Sequence, residues 1–220
     1  MYRIAVFASG RGSNLRAVIE ASQRGDLAAS VVGVFSDKPD CGAIALAREA
    51  NVPTVALSPR NFPSRAAFDE ALFREIAVIQ PDLIVLAGYM RIISENSVRK
   101  FEDRMINLHP SLLPAYPGLD TYARALADGM GEHGASVHRV IPALDAGPVL
   151  AQVRVPVLPG DDADLLAQRT QAREHPLLVA CLQALASGRM RLGLGSPSYD
   201  DRPIVAPLQL NADNQLEWAA

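Results

Sequence analysis

Cysteine is nearly absent from this chain: Cys41 and Cys181 are the only two in 220 residues. Two thiols support neither a disulfide framework nor a cysteine-rich zinc site. No run approaches the ~18 apolar residues of a membrane helix, so no membrane partner is expected. The N-terminal MYRIAVFASGRGSN lacks an apolar leader core with a small-residue cleavage site, because Gly10, Arg11 and Gly12 interrupt it. A cytoplasmic enzyme is the expectation. An excess of one charge is also missing. A formal net charge of −3 provides no general field for nucleic acid, so an anionic ligand must be held by a local site. Three catalytic signatures, G-x-S-x-G, H-E-x-x-H and the lysine-containing G-x-x-x-x-G-K-[ST], do not occur, and the glycine turn after the first strand, SGRGSN, does not have the spacing G-x-G-x-x-G. These features point away from a serine nucleophile, a zinc hydrolase, an ATP loop and a dinucleotide fold. No internal repeat is visible, and no linker is long enough for two independent domains.

What is present is an alternation of short apolar runs and helical stretches. RIAVFA (3–8) ends at a glycine-rich turn, and NLRAVIEAS (14–22) reads as a helix. VVGVFS (31–36), the helical CGAIALAREA, a short TVAL and a helix over about Arg65 to Ile79 follow. DLIVLAG then forms the clearest buried strand. These strands are apolar and β-branched without strict alternation, the mark of βαβ units around a parallel sheet covered on both faces. After RMINLH (104–109) and the helical TYARALADG, GASVHRVI (134–141) and PVLAQVRVPV (148–157) alternate more and predict antiparallel additions. A helix from about Asp162 ends near Ser187-Gly188, with Pro176 predicting a kink or restart. The last thirty residues predict a wrapping tail. The fold class is α/β: a Rossmann-like, mostly parallel sheet with helices on both faces and antiparallel additions toward the C-terminal part.

SGRGSN (9–14) sits where the first strand hands over to the first helix. Glycines allow a tight turn, and a helix start offers unpaired N–H groups, which together suit a phosphate on Gly12, Ser13 and Asn14. The same residues also fit an ordinary βα turn with Ser13 or Asn14 as helix cap. Asp37, after the second strand, is placed like a ribose-binding acid of a dinucleotide fold, but the glycine pattern argues against that.

MINLHPSLLPAYPG (105–118) brings Asn107 and His109 to the end of a strand, two residues apart. Pro110, Pro114 and Pro117 then forbid further pairing and fix the exit path. Ligands of open parallel sheets gather at the carboxyl ends of strands. An amide that donates a hydrogen bond but takes up no proton at ordinary pH, beside an imidazole that can donate, accept or carry charge, suits a carbonyl reaction in which oxygen becomes negative. Asn107 would aim its N–H at that oxygen and His109 would add a second donor as imidazolium. Losing one such donor costs on the order of 3 kcal/mol of transition-state stabilisation. The plainer reading is an asparagine capping the next turn and a histidine packed on prolines. Asp145, in the turn IPALDAGPVL between two apolar runs, could keep His109 charged or accept a proton from an attacking amine. It could equally be an Asx-turn. Cys181 falls on an apolar helix stripe. His133 and His138, five apart on a strand, fall on opposite faces and give no metal pair.

Over nearly its whole length the chain resembles the phosphoribosylglycinamide formyltransferases, folate-dependent transformylases of purine synthesis. The resemblance is carried by SGRGSNL (9–15), LAGYMRI (86–92), NLHPSLLPAYPGL (107–119), HGASVHRVIPALDAGPV (133–149) and QAREH (171–175). It implies one formyltransferase domain over 1–220. Residues 1–100 would be the phosphate and ribonucleotide half, 101–190 the catalytic and folate half, and 191–220 the tail. It further implies direct transfer of the formyl group of 10-formyltetrahydrofolate, a co-substrate, to the amine of glycinamide ribonucleotide, with no metal and no nucleic acid. The catalytic trio would be Asn107, His109 and Asp145. Gly12, Ser13 and Asn14 would hold the phosphate, helped by Arg65, with Glu174 near the ribose. Met90, Arg91, Ile92 and Ile93 would line the pterin pocket, closed by the 141–145 loop with Val140 and Ile141. Ser136 matches a position near the reaction centre. The protein would be a monomer or homodimer.

Three positions depart from the family's common residues: Asp120 and Tyr122 follow the PGL where members often have histidines, and Gln171 stands where some members have a lysine. Related hydrolases and transfer-RNA formyltransferases normally carry a further domain, and neither is the expectation for a chain read as one formyltransferase domain. A binding protein would leave both ligands intact, and a nicotinamide dehydrogenase would bind a dinucleotide.

Overall fold

The computed structural model describes residues 1–193 and 195–219. In chain order it runs β1 (Tyr2–Phe7), α1 (Ser13–Arg24), β2 (Ala29–Ser36), α2 (Gly42–Glu49), β3 (Thr54–Ala56), α3 (Arg65–Ile79), β4 (Leu83–Ala87), α4 (Glu95–Phe101) and β5 (Met105–His109). It continues with α5 (Thr121–Ala127), β6 (Glu132–Arg139), β7 (Val149–Pro156), α6 (Ala163–Ala186), β8 (Met190–Arg191), β9 (Ser198–Tyr199), β10 (Arg202–Pro203), β11 (Leu208–Leu210) and β12 (Leu216–Glu217). The main sheet has the order β12-β11-β7-β6-β5-β4-β1-β2-β3. From β3 to β5 every neighbouring pair is parallel, whereas β6 runs antiparallel to both β5 and β7.

Alternation along β1 explains the unbroken apolar run of the first strand. Ile4 and Val6 enter one cluster with Leu15, Ala43 and Leu177 of α1, α2 and α6. Ala5 and Phe7 enter another with Phe68, Leu72 and Phe73 of α3 and Val98 of α4. A strand covered on both faces needs apolar side chains at both parities. Phe7, Phe35 and Phe68 are fully buried, each contributing roughly 1.5–3 kcal/mol by removal from water. The helix over Arg65–Ile79 starts where Ser64 Oγ accepts from Ala67 N at 3.1 Å and ends at Gln80 in a left-handed conformation, just before Pro81.

Three features differ from the sequence reading. The helix α4 joins β4 to β5 where no helix was read, since among its seven residues only Ser97 and Val98 are buried. Pro176 does not restart α6, which runs through as one helix of 24 residues capped by Asp162. Leu177, Leu178, Cys181, Leu182 and Leu185 after the proline are buried in the same cluster as the sheet, and that packing offsets the lost N–H of one position. The final segment is not a plain tail. It forms the small antiparallel sheet β10-β9-β8 and adds β11 parallel to β7.

Candidate active site

The chain passes from β1 to β2 on one side and from β4 to β5 on the other, so the carboxyl ends of β1 and β4 mark the point where strand order reverses. Such reversals leave a crevice. Here it is a cleft of about 620 Å³ walled by the glycine loop, the 87–92 segment, the end of β5, the start of α5, and Gln171 and Glu174 of α6. A narrower slot of about 90 Å³ adjoins it between residues 91–93 and 140–145, with Leu86 and Val98 as further apolar lining. Asn107 and Asp145 line both cavities, and His109 lines the larger one.

At that junction the three polar side chains of the sequence reading converge. His109 Nδ1 lies 3.5 Å from Asp145 Oδ2, with both side chains under a tenth exposed. The other ring nitrogen, Nε2, donates to the Tyr116 carbonyl at 2.9 Å. Only a ring protonated on both nitrogens can donate to carbonyl and carboxylate together. Burial pushes the His109 pKa down, while the Tyr116 carbonyl and the Asp145 charge work against that. For Asp145, burial acts to raise the carboxyl. The contact with His138, the Gly118 N–H at 2.9 Å and the field of His109 outweigh it, so it lies below its ordinary value. Asp145 itself adopts a left-handed conformation with φ of 49°. Two residues on, a Cβ at Gly147 would overlap the Arg139 carbonyl, so only glycine lets this loop close on β6.

Asn107 has a partner that spacing alone did not reveal. In the antiparallel register of β5 and β6, Asn107 stands opposite His138 and His109 opposite Ser136. Asn107 Nδ2 is 3.1 Å from His138 Nε2 and 3.4 Å from Asp145 Oδ1. The remaining nitrogen of His138, Nδ1, lies 3.0 Å from the Arg139 carbonyl. A neutral ring that donates there accepts from Asn107 at Nε2. The amide of Asn107 thus lies between His138 Nε2 and Asp145 Oδ1. The separation of His133 and His138 onto opposite sides holds: His133 Nε2 donates to the Pro110 carbonyl at 2.9 Å instead.

The proline-rich turn after His109 is held by buried donors. Ser136 Oγ donates to Ser111 O and accepts from Leu113 N, and Gln152 Nε2 donates to Leu113 O. Ser136 therefore supports the turn from beneath and is fully buried. Thr121 Oγ1 donates to the Pro110 carbonyl at 2.7 Å. Arg124 donates to the Pro117 carbonyl and stacks over the Tyr116 ring.

At the far end of the cleft the glycine loop meets α1. Gly12 caps that helix in a left-handed conformation, φ 83°, with no side-chain cap bond. The alternative of Ser13 or Asn14 as cap is thereby excluded. A Cβ on Gly12 would lie 2.8 Å from Ala43 Cα, so the loop lies directly on α2. The uncapped helix start leaves N–H groups free for an anion. Asn14 instead donates from Nδ2 to Glu174 Oε2 at 3.3 Å. Asp37 is a fixture of the wall: it accepts from Ser9 Oγ at 2.5 Å, and that oxygen accepts from Met90 N at 3.0 Å.

Comparison with known proteins now bears on this geometry. A family model described as formyl transferase matches residues 2–182. The phosphoribosylglycinamide formyltransferase of Escherichia coli (strain K12) is 44% identical over 189 residues, covering 86% of this chain and 89% of that protein. The chain belongs to the phosphoribosylglycinamide formyltransferase family. A relative of the same name from Mycobacterium tuberculosis (strain ATCC 25618 / H37Rv) is 45% identical over 185 residues, covering 84% of this chain and 85% of that one. The solved structure of the Coxiella burnetii phosphoribosylglycinamide formyltransferase superposes with a TM-score of 0.86 at 42% identity, covering 92% of this chain and 95% of that one. The α/β fold with its mostly parallel sheet is that of the family.

Within this family frame, the residues expected around the pterin span both cavities, with Arg91 and Ile92 lining each. Arg91, Ile92, Ile93, Val140 and Ile141 line the narrow slot, while Met90 lines the larger cleft. Gly12, Ser13, Asn14 and Glu174 line the larger cleft as well, with Arg11, which the sequence reading passed over. Arg65 lines neither cavity. It opens α3 and, like Arg91, lies within electrostatic range of Asp69. Of the departures, Asp120 holds the left-handed start of α5, and Tyr122 donates to Glu174 Oε1 at 3.4 Å. Gln171 lines the cleft beside Glu174.

Proposed function

We propose that this protein transfers the formyl group of 10-formyltetrahydrofolate to the amine of glycinamide ribonucleotide, the reaction for which its family is named. The observation that carries the reading is the position of the trio. Asn107, His109 and Asp145 meet where a narrow apolar slot joins a cleft ending at an uncapped helix N-terminus. A flat pterin suits the slot, with apolar faces on Ile92, Val140 and Ile141 and polar edges toward the backbone. The phosphate of the ribonucleotide suits Gly12, Ser13 and Asn14, and its ribose suits Glu174. Arg65, which lines neither cavity and shares with Arg91 an electrostatic influence on Asp69, suits the outer, anionic end of the folate.

The chemistry follows from the two ends meeting at the trio. The amine attacks the formyl carbon, forming a C–N bond and a tetrahedral oxyanion. Asn107 donates to that oxygen once one of its N–H groups turns from Asp145. The His109 imidazolium stabilises it by its charge, and by a direct bond if Nε2 leaves Tyr116. Asp145 accepts the proton of the attacking nitrogen, directly or through water. The C–N bond to the folate then breaks, and the departing nitrogen takes up the proton that Asp145 accepted, directly or through water, which restores the carboxylate. Both substrates are held on one rigid sheet end, and orientation of this kind is worth about 7–11 kcal/mol in well-aligned systems.

The test mixes purified protein with both substrates and follows the folate product by absorbance and the formylated ribonucleotide by mass. Equal formation of both supports the transferase. Folate product at an unchanged rate without ribonucleotide would mean a hydrolase and would sink the proposal.

A further inference from the structure

We infer that Tyr122 is a positioning residue for Glu174: its hydroxyl holds the carboxylate that receives the ribose hydroxyls, and so sets the affinity for the ribonucleotide. This rests on the ribonucleotide reading of the cleft given above.

Glu174 is buried on α6, at 5% exposure, and still lines the cleft. Among the described residues its carboxylate has two side-chain partners, neither of them a cation. Asn14 Nδ2 donates to Oε2 at 3.3 Å and Tyr122 to Oε1 at 3.4 Å. Each oxygen is thus held from a different element, Oε2 from α1 beside the glycine loop and Oε1 from α5. Both bonds are long, and each carboxylate oxygen has about two lone-pair sites. The unused acceptor capacity suits neighbouring hydroxyls, which supply donors without adding charge.

Tyr122 can act as a fixed post because its ring is itself held. Its centroid lies 5.1 Å from that of His133, and His133 donates to the Pro110 carbonyl that also receives Thr121 Oγ1. Pro110 directly follows His109. The hydroxyl therefore ties the acid on α6 to the same turn that carries the imidazole. Burial and the nearby carboxylate push the phenol pKa up, so Tyr122 remains a donor. Burial also pushes the Glu174 carboxyl up, and the bonds from Asn14 and Tyr122 oppose this. The other titratable groups around the same cleft are Arg11 of the glycine loop, Tyr89 and Arg91 after β4, His109 of β5, Asp120 at the start of α5, and Asp145. His175, next on α6, faces Glu20 of α1.

Tyr122→Phe keeps the ring against His133 and deletes the hydroxyl. Its KM for glycinamide ribonucleotide should rise about three- to tenfold, the effect of losing one long hydrogen bond. The KM for the folate and kcat should stay near wild type. In the ligand-free protein, 13C NMR of labelled glutamate follows the carboxyl of residue 174, identified by its loss in Glu174→Gln. Its titration midpoint should move up in Tyr122→Phe, and Tyr122→His, which keeps a donor, should restore part of both effects. An unchanged ribonucleotide KM overturns the inference, as does an equal rise of both KM values, which would signal a general deformation. If the wild type forms no formylated ribonucleotide, the functional reading fails separately. An unmoved midpoint would then overturn the link between Tyr122 and Glu174 as well.

Discussion

Replacing Asp145 by asparagine keeps the outline of the side chain and removes its charge. That charge lies 3.5 Å from His109 Nδ1. At an effective dielectric of about 20, two unit charges at this distance attract by roughly 4–5 kcal/mol. Only the protonated imidazole feels this attraction, so the change falls on the form of the enzyme that stabilises the oxyanion. Since ~1.4 kcal/mol corresponds to tenfold in rate, kcat should fall by about three orders of magnitude. Asp145 is also one of the groups that raise the His109 pKa against the downward effect of burial. With the charge removed, that pKa falls, and the imidazolium is lost at lower pH. The alkaline limb of the kcat profile should therefore shift toward acid. The assay is folate product formation at saturating substrates, run from mildly acid to mildly alkaline pH. A variant within about tenfold of wild type, with an unshifted alkaline limb, would refute the assignment of Asp145 as the electrostatic partner of His109.

Three further predictions rest on separate parts of the molecule. Gly147→Ala drives a methyl into the Arg139 carbonyl; it should cost about 1–3 kcal/mol of stability by overpacking, seen by thermal melting, and lower kcat by displacing Asp145. Asp37→Ala removes the acceptor of the Ser9 hydroxyl that orients Met90 N. It should cost about 1–3 kcal/mol, as for a buried donor left unpaired, and raise the KM for the folate more than that for the ribonucleotide. The bidentate bond from Arg169, followed by the Leu158 N–H, holds Asp161 at a pKa of about 2. A depressed carboxyl contributes stability that is complete above its unfolded value of about 3.9 and lost as pH falls through the folded one. Acid unfolding curves of wild type and Asp161→Asn should therefore differ above about pH 4 and converge toward about pH 2.

Much of the frame was legible because its signals are local. The apolar runs that became β1, β2, β4 and β5 are continuous since both faces of those strands are covered, and α3 is bracketed by Ser64 and Gln80-Pro81 in the chain itself. Asn107 and His109 could be placed together because a strand repeats every two residues and prolines end it. The short α4 escaped because it buries too little to show a pattern, and the two- and three-residue strands β8 to β12 are defined by what they pair with.

The sequence by itself determined the alternating βαβ plan, the end of β5 as a place for polar chemistry, the glycine turn before α1, and the family. Only the tertiary structure decided that His138 faces Asn107, that Asp145 reaches His109, that Tyr122 bonds to Glu174, and that Arg65 lines neither cavity. Periodicity and turn residues act over a few positions and fix which side chains share a face. Which distant side chains meet depends on strand order and register, and these are set by the packing of the whole sheet against its helices.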